Sequence, residues 1–523
     1  MPAADATFTP SLTPGGEELR PGTLSHSVLT IALMLATIIQ VLDTTIANVA
    51  LPHMQTSLGA TYDTVTWVLT SYIVAAAVTI PTTGWLSARI GPRNLFLVAV
   101  TGFVIASMLC GIATSLTEMV VFRALQGVAG AFISPLSQSV MLNINPRERH
   151  GKAMSIWGMG VMVAPIIGPV LGGYLTEEVN WRWVFFVNVP IGGLCLFLLF
   201  ALLPKDRQPE RRFDKLGFGL LALGLASLQL LLDRGQTNDW FESTETLIEA
   251  GVAISALWMF GVHMVTGRNP LFSREILTNR NLLSSLALMS VISIALFANM
   301  ALLPPMLQNL FNYDVIDTGL LLAPRGIGIL ITMWLSGILL GRVDARILIA
   351  SGLSMIALSL WQMTHWTLVM DWRPFFVSGI VQGLGMGFVF VPLNTLAFGT
   401  LPPDGRTDGA SLLNLVRSLG GSVGISIVVT YLSRGSQTSH EMLAQHVTDQ
   451  SLGMAGGGRL QELGSLTDSA LSAANAEVTR QAMMVAYLDD FHLMMWITLL
   501  SIPFVLLLKR PPAFSAPPQM AME

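Results

Sequence analysis

The sequence predicts an all-α, polytopic membrane protein with fourteen transmembrane helices. Three observations predict it. Of the 523 residues, 52% are hydrophobic and 11% charged, with a mean hydropathy of +0.62. That is less than half the charge of an ordinary soluble domain. Apolar runs of about 20 residues, the length that crosses a hydrocarbon core, recur near 27–48, 64–87, 94–114, 118–143, 152–176, 183–204, 216–233, 244–266, 282–303, 317–340, 347–369, 374–396, 408–431 and 489–508. The 28 Lys and Arg residues are also distributed unevenly between the loops. Nineteen fall in alternate segments, among them Arg147, Lys152, Arg212, Arg274, Arg342 and Arg406, while the short loops between hold only Arg182, Arg234 and Arg373. Positive charge stays on the cytoplasmic side. Both termini are therefore expected there, and an even helix count agrees.

Residues 1–26 are polar and rich in Pro, Gly and Thr, a disordered cytoplasmic tail with no basic stretch leading into a cleavage site. The first apolar helix is thus expected to remain as a span. It ends in LDTTIANVALP, with Asp43 in its outer half and Gln40 and Ala47 one turn to either side on the same face. A carboxylate inside a membrane is costly and turns to the bundle interior or to water; the alternative is an anchor at a helix end. Between helices two and three lies GWLSARIGPRN, carrying Gly84, Arg89, Gly91 and Arg93. Its partial copy 253 residues later holds Gly337, Leu339, Arg342 and Arg346, with Asp344 where the first copy has Gly91. Internal similarity of this kind is what two homologous halves leave behind.

The fourth helix places Arg123, Gln126, Gly127 and Gly130 on one face. A buried guanidinium stays charged and seeks a carboxylate or backbone carbonyls. In the fifth helix Gly160, Ala164, Gly168 and Gly172 recur every fourth residue, with Gly173 beside them. Such a stripe lets two helix backbones approach closely. Pro165 and Pro169 should bend that helix. The Trp181–Arg182 pair reads as an aromatic anchor at the outer interface.

A basic cytoplasmic linker, 205–215, closes the first six-helix half (27–204). Two further helices follow within 205–281, and the second six-helix half spans 282–508. Its buried polar residues are Asn299, Arg325, Gln382, Asn394, Asn414 and Arg417. With Gln40 and Gln126 they are candidates for a substrate cavity, although a lone Asn or Gln also serves as glue between helices. Within that half, 432–487 forms one long, mostly polar outer segment. In it Gly456–Gly458 suggests a hinge between short helices, and a cytoplasmic tail, 509–523, closes the chain. Cys110 and Cys195 sit in apolar runs and read as small core residues.

These motifs together resemble the fourteen-span drug/proton antiporters of the major facilitator superfamily, the EmrB/QacA type, over roughly 27 to 508. Leu42–Pro52 is similar to their first-helix motif, Gly84–Asn94 to the short loop motif, and Arg123–Gly130 to the fourth-helix motif. Gly168-Pro169-x-x-Gly172-Gly173 is similar to the antiporter motif, and WRWVFFVNVPIGG to a string of that branch. The resemblance implies the major facilitator fold, two six-helix halves plus two central helices lying peripherally. It also implies proton-driven export of amphipathic or hydrophobic compounds across the bacterial inner membrane, with proton coupling at Asp43 and Arg123. The acid usual in the loop motif is Ala88 here, which puts its charge relay in doubt and leaves steric gating by the Gly91-Pro92 turn. No cofactor beyond the proton gradient is implied. Implied partners are small amphipathic substrates, protons and lipid. In the EmrB branch a membrane-fusion adaptor and outer-membrane channel join them, and 432–487 would be the docking surface.

The sequence carries no GxxxxGK[ST] loop, HExxH, CxxC pair or GxSxG elbow, so neither an ATP-driven pump within this chain nor an enzyme is expected, and no metal site. No basic patch suits nucleic acid. Proton-coupled uptake is the alternative among transporters, but its ExxER signature is absent from the first helix. A membrane scaffold or embedded enzyme would cluster polar residues at one interface, whereas here they scatter over several helices.

Overall fold

The computed structural model describes residues 11–14, 16, 18–205, 212–446 and 468–509. Parts of the N-terminal tail and of the 205–215 linker, Gly456–Gly458 with Arg459, and all but the first residue of the 509–523 tail lie outside the described residues. Fourteen helices are long and apolar enough to cross a membrane. They are α1 (Leu24–Ser57), α2 (Trp67–Ile90), α3 (Pro92–Ile112), α4 (Leu116–Asn143), α5 (Arg147–Val179), α6 (Trp183–Leu202) and α7 (Lys215–Arg234). Then follow α8 (Thr244–Thr266), α9 (Arg280–Phe311), α10 (Asp317–Leu339), α11 (Ala345–Met363), α12 (Arg373–Gly399), α13 (Pro403–Ala444) and α14 (Ala474–Leu507).

The packing repeats with a period of eight helices. α1 packs on α5, α2 on α4 and α3 on α4; correspondingly α9 packs on α13, α10 on α12 and α11 on α12. Glycines permit these approaches. A Cβ at Gly383 of α12 would stand 2.1 Å from the Arg325 carbonyl oxygen of α10, and one at Gly424 of α13 would stand 2.7 Å from the Ile294 backbone of α9. In the first half the stripe on α5 performs the same task against α1. A Cβ at Gly160 would meet Met34, at Gly168 Thr45, and at Gly172 Ile46, while Ala164 and Gly173 are buried beside them. The stripe therefore joins α5 to its own half. The opposite face of α5 meets the other half, with Ile166 against Gly326 and the Ser155 hydroxyl donating to the Met333 carbonyl at 2.6 Å. Pro165 and Pro169 do not interrupt α5, which stays α-helical from His150 to Tyr174 and widens to a π-turn at Leu175–Val179. In a bundle, neighbours compensate the lost donors.

Three expectations need correction. First, the flanks of 432–487 are not separate short helices. α13 runs unbroken from Arg406 to Ala444 and the helix of α14 begins at Asp468. Polar residues lower the hydropathy of LSRGSQTSHEMLA without breaking a helix, and the two extensions pair: Gly435 lies against Ala486 (3.3 Å from its Cβ to a Cβ on Gly435), and the His440 and Asn475 side chains hydrogen-bond at 3.1 Å. Thirty-nine residues make a helix of about 58 Å, nearly twice a hydrocarbon core of about 30 Å, so the pair projects beyond it. Secondly, α7 is not peripheral. It packs on α2 and α13, and through it the first half meets the second. Asp233 accepts from Thr70 of α2 and Arg234 lies over the Trp67 ring, while the Gln229 amide donates to Ser422 of α13 at 2.8 Å. Only α8 lies outside, packed on α7. Thirdly, Trp181 is buried, and Arg182 caps α3 by donating to the carbonyls of Gly111 (2.9 Å) and Ala113 (2.6 Å). The exposed ring of that string is Trp183.

Candidate functional site

In the first half a charged cluster forms where α1, α2, α4 and α6 converge. Asp43 of α1 and Arg123 of α4 are both fully buried, and Arg123 Nη1 donates to Asp43 Oδ2 at 2.5 Å. The other carboxylate oxygen, Oδ1, accepts from Gln126 Nε2 at 2.8 Å and from Asn188 Nδ2 of α6 at 2.9 Å. Helical spacing explains the first donor, since Gln126 stands three residues after Arg123 and its Oε1 also accepts from Nη1 at 2.8 Å. Arg123 Nε donates to the Val68 carbonyl of α2 at 3.1 Å, and the guanidinium lies 4.5 Å from the Tyr72 ring centroid and 5.7 Å from that of Phe185. Two unpaired charges here would be prohibitive, but a pair that compensates its own charge is tolerated; of the guanidinium nitrogens, Arg123 Nη2 alone has no hydrogen-bond partner among the described residues. Protonating Asp43 would remove this attraction.

The cavity candidates do not gather into one place. Gln40 accepts from Ser134 of α4 at 2.8 Å, close to the charged cluster. Asn414 and Arg417 lie where the halves meet: Arg417 donates to Asn414 Oδ1, and Asn414 donates to Gln138 of α4 at 2.9 Å. Arg325 reaches the Leu296 carbonyl at 3.4 Å and, among the described residues, has no carboxylate partner, while Gln382 is fully buried with neither amide atom bonded to any of them. Asn299 and Asn394 each donate to a carbonyl four residues back on their own helix.

At the end of the bundle that carries the arginine-rich loops, the halves are locked together. Arg406 donates to the Leu142 carbonyl and to Asn143 Oδ1, and Ser139 and Thr407 share a hydrogen bond of 2.8 Å. Gly84 has no room for a side chain, because a Cβ there would stand 1.5 Å from Asp408 Oδ1 of α13. The junction that lacks an acid at Ala88 thus receives one from the other half. Gly91, at φ +86°, makes the turn that a side chain would strain. In the second copy that conformation falls at Gly341, not at the residue aligned with Gly91. Arg89 lies over Trp85, and Arg93 donates to the Phe200 carbonyl at 2.7 Å.

Sequence reasoning passed over Asn188 and Tyr72. Asn188 stands inside the quoted WRWVFFVNVPIGG string, and an amide in an apolar helix was the available signal. Asp408 had none, since nothing local ties it to Gly84.

Two like-packed six-helix halves enclosing buried charges define a membrane transport protein. A family described as the Major Facilitator Superfamily matches residues 33–425, and the chain belongs to it. The multidrug export protein EmrB of Escherichia coli K12 is 36% identical over 488 residues, covering 92% of this chain and 95% of that protein. The fatty acid resistance protein FarB of Neisseria gonorrhoeae is 34% identical over 486 residues, covering 92% and 96%. Among solved structures, the human organic anion transporter MFSD10 is similar at a TM-score of 0.60 and 13% identity, covering 92% of this chain and 100% of that one, a likeness of fold.

Proposed function

We propose that this protein is a proton-driven antiporter exporting amphipathic or hydrophobic compounds across the bacterial cytoplasmic membrane, with both termini in the cytoplasm. The observation that carries it is the buried Asp43–Arg123 pair, one acid whose charge is compensated by one base on a neighbouring helix. Kinship with export proteins named for multidrug and fatty acid resistance supports the substrate class. With the basic loops in the cytoplasm, the bonds of Arg406, Ser139 and Thr407 close the cytoplasmic side. The proton gradient is the energy source; no cofactor enters. Cells carrying the protein should accumulate less of several lipophilic dyes than cells without it, and collapsing the gradient should erase the difference. Persistence of the difference after collapse defeats the proposal.

The paired extensions of α13 and α14 suit docking of a membrane-fusion adaptor, through which substrate would reach an outer-membrane channel. Deleting 440–480 should abolish recovery of the adaptor with a correctly folded transporter. Undiminished recovery would leave the extensions as a cover over the bundle.

A further inference from the structure

A second carboxyl stands inside the bundle, and neither the ion-pair cluster nor the sequence motifs use it. Asp490 of α14 is fully buried, and neither of its oxygens has a hydrogen-bond partner among the described residues. Seventeen residues separate it from Leu507, about 25 Å of helix. That places it within the apolar thickness, toward the end opposite the basic loops. It belongs to the packed face of α14 with Tyr487, Phe491 and Met494, all buried. One turn deeper, Asn299 of α9 approaches Met494 and leaves its own Oδ1 unpaired.

No cation among the described residues compensates Asp490. α9 carries no charge beyond Arg280, and α11 none beyond Arg346, both at the far end. On α13, Arg417 is bonded to Asn414 and Arg434 is exposed. On α14 itself Asp489 and His492 are exposed, and Tyr487 is the other titratable group of its packed face. In the connection from α11 to α12, Arg373 pairs with Asp371 at 3.6 Å, and His365 is held by the Trp361 carbonyl. An ionised carboxylate with no donor and no cation is too costly in such surroundings. In this conformation the group is the neutral acid.

A supply of protons lies close by. An open groove at this end of the bundle is lined by Gln362, His365, Trp366, Asp371 and Arg373. Its floor is Trp366, whose ring packs on that of Phe491 at 5.5 Å, and Phe491 adjoins Asp490. Through Trp366 and Phe491 the groove adjoins the turn of α14 that carries Asp490.

We propose that Asp490 is a second proton-binding site, loaded from this groove and emptied when α14 shifts against α9, α11 and α13. Loading forms one O–H bond on the carboxylate and emptying breaks it, with no other reactant. The coupling of this proton to export rests on the antiporter reading; its binding does not.

Infrared difference spectra of the full-length protein in lipid, recorded between acidic and alkaline buffer, test the binding. The protonated-carboxyl band that titrates in the wild type should contain a component lost in Asp490→Asn and retained in Asp43→Asn. A titrating band in Asp490→Asn identical to that of the wild type overturns the proposal. Should the Asn variant not fold, Asp490→Glu retains a carboxyl in altered surroundings and should displace the band; an undisplaced band overturns the proposal equally. In vesicles, protons moved per dye exported should fall by about half in Asp490→Asn, one of two titrating carboxyls having been removed, and an unchanged ratio refutes the coupling. A wild type that shows the titrating band and no gradient-driven export would defeat the antiporter reading alone.

Discussion

Asp43→Asn should reduce gradient-driven export to the level of cells lacking the protein, with the variant still present in the membrane in normal amount. Asn is nearly isosteric, and its amide oxygen can still accept from Gln126 or Asn188, which now hold Oδ1 at 2.8 and 2.9 Å. The packing of α1 on α5 is untouched. What disappears is the group that exchanges a proton, so the electrostatic tie to Arg123 no longer varies through the cycle. Everted vesicles energised with a proton gradient and loaded with dye give the measurement. Gradient-dependent accumulation at the wild-type rate by Asp43→Asn would remove this residue from the coupling step. Equilibration of dye down its own gradient, by contrast, should survive, since that needs only the rocking of the halves.

Arg123→Met should damage the protein itself. Removing one member of a buried ion pair leaves the other charge uncompensated, a loss of about 3–5 kcal/mol. Asp43 keeps two amide donors but loses its cation, and Arg123 also gives up the Val68 carbonyl and its contacts with Tyr72 and Phe185. The thermal stability of the purified protein in detergent should therefore fall well below that of the wild type. Combining the two substitutions should restore the part of the loss that comes from the stranded charge. A double variant as unstable as Arg123→Met would show that packing around the guanidinium, and not charge compensation, holds this cluster together. Neither the single nor the double variant should couple export to the gradient.

Much of this protein was legible in its sequence, for a physical reason. A lipid environment demands helices of nearly fixed length with their polar backbone satisfied internally, so composition and the alternation of basic loops led directly to fourteen spans. A carboxylate and a guanidinium in apolar helices also announce themselves, because neither can be left alone there. Asp43, Arg123 and the small-residue stripe of α5 could be singled out from residue type and spacing. Their partners could not. Which helix fills the groove beside Gly168, which amide completes the shell of Asp43, and which acid covers Gly84 are facts of three-dimensional packing. Thr45, Asn188 and Asp408 lie 123, 145 and 324 residues from the groups they meet. Hydropathy likewise misjudged α13 and α14, whose ends continue as helix through polar sequence because their extensions pair with one another. The resemblance, for its part, left α7 peripheral, whereas its Asp233 and Gln229 reach the two halves. Hydropathy reports what a segment can border; the tertiary structure decided what each segment does border, because contact between distant helices depends on shape and hydrogen bonding that no single stretch of chain contains.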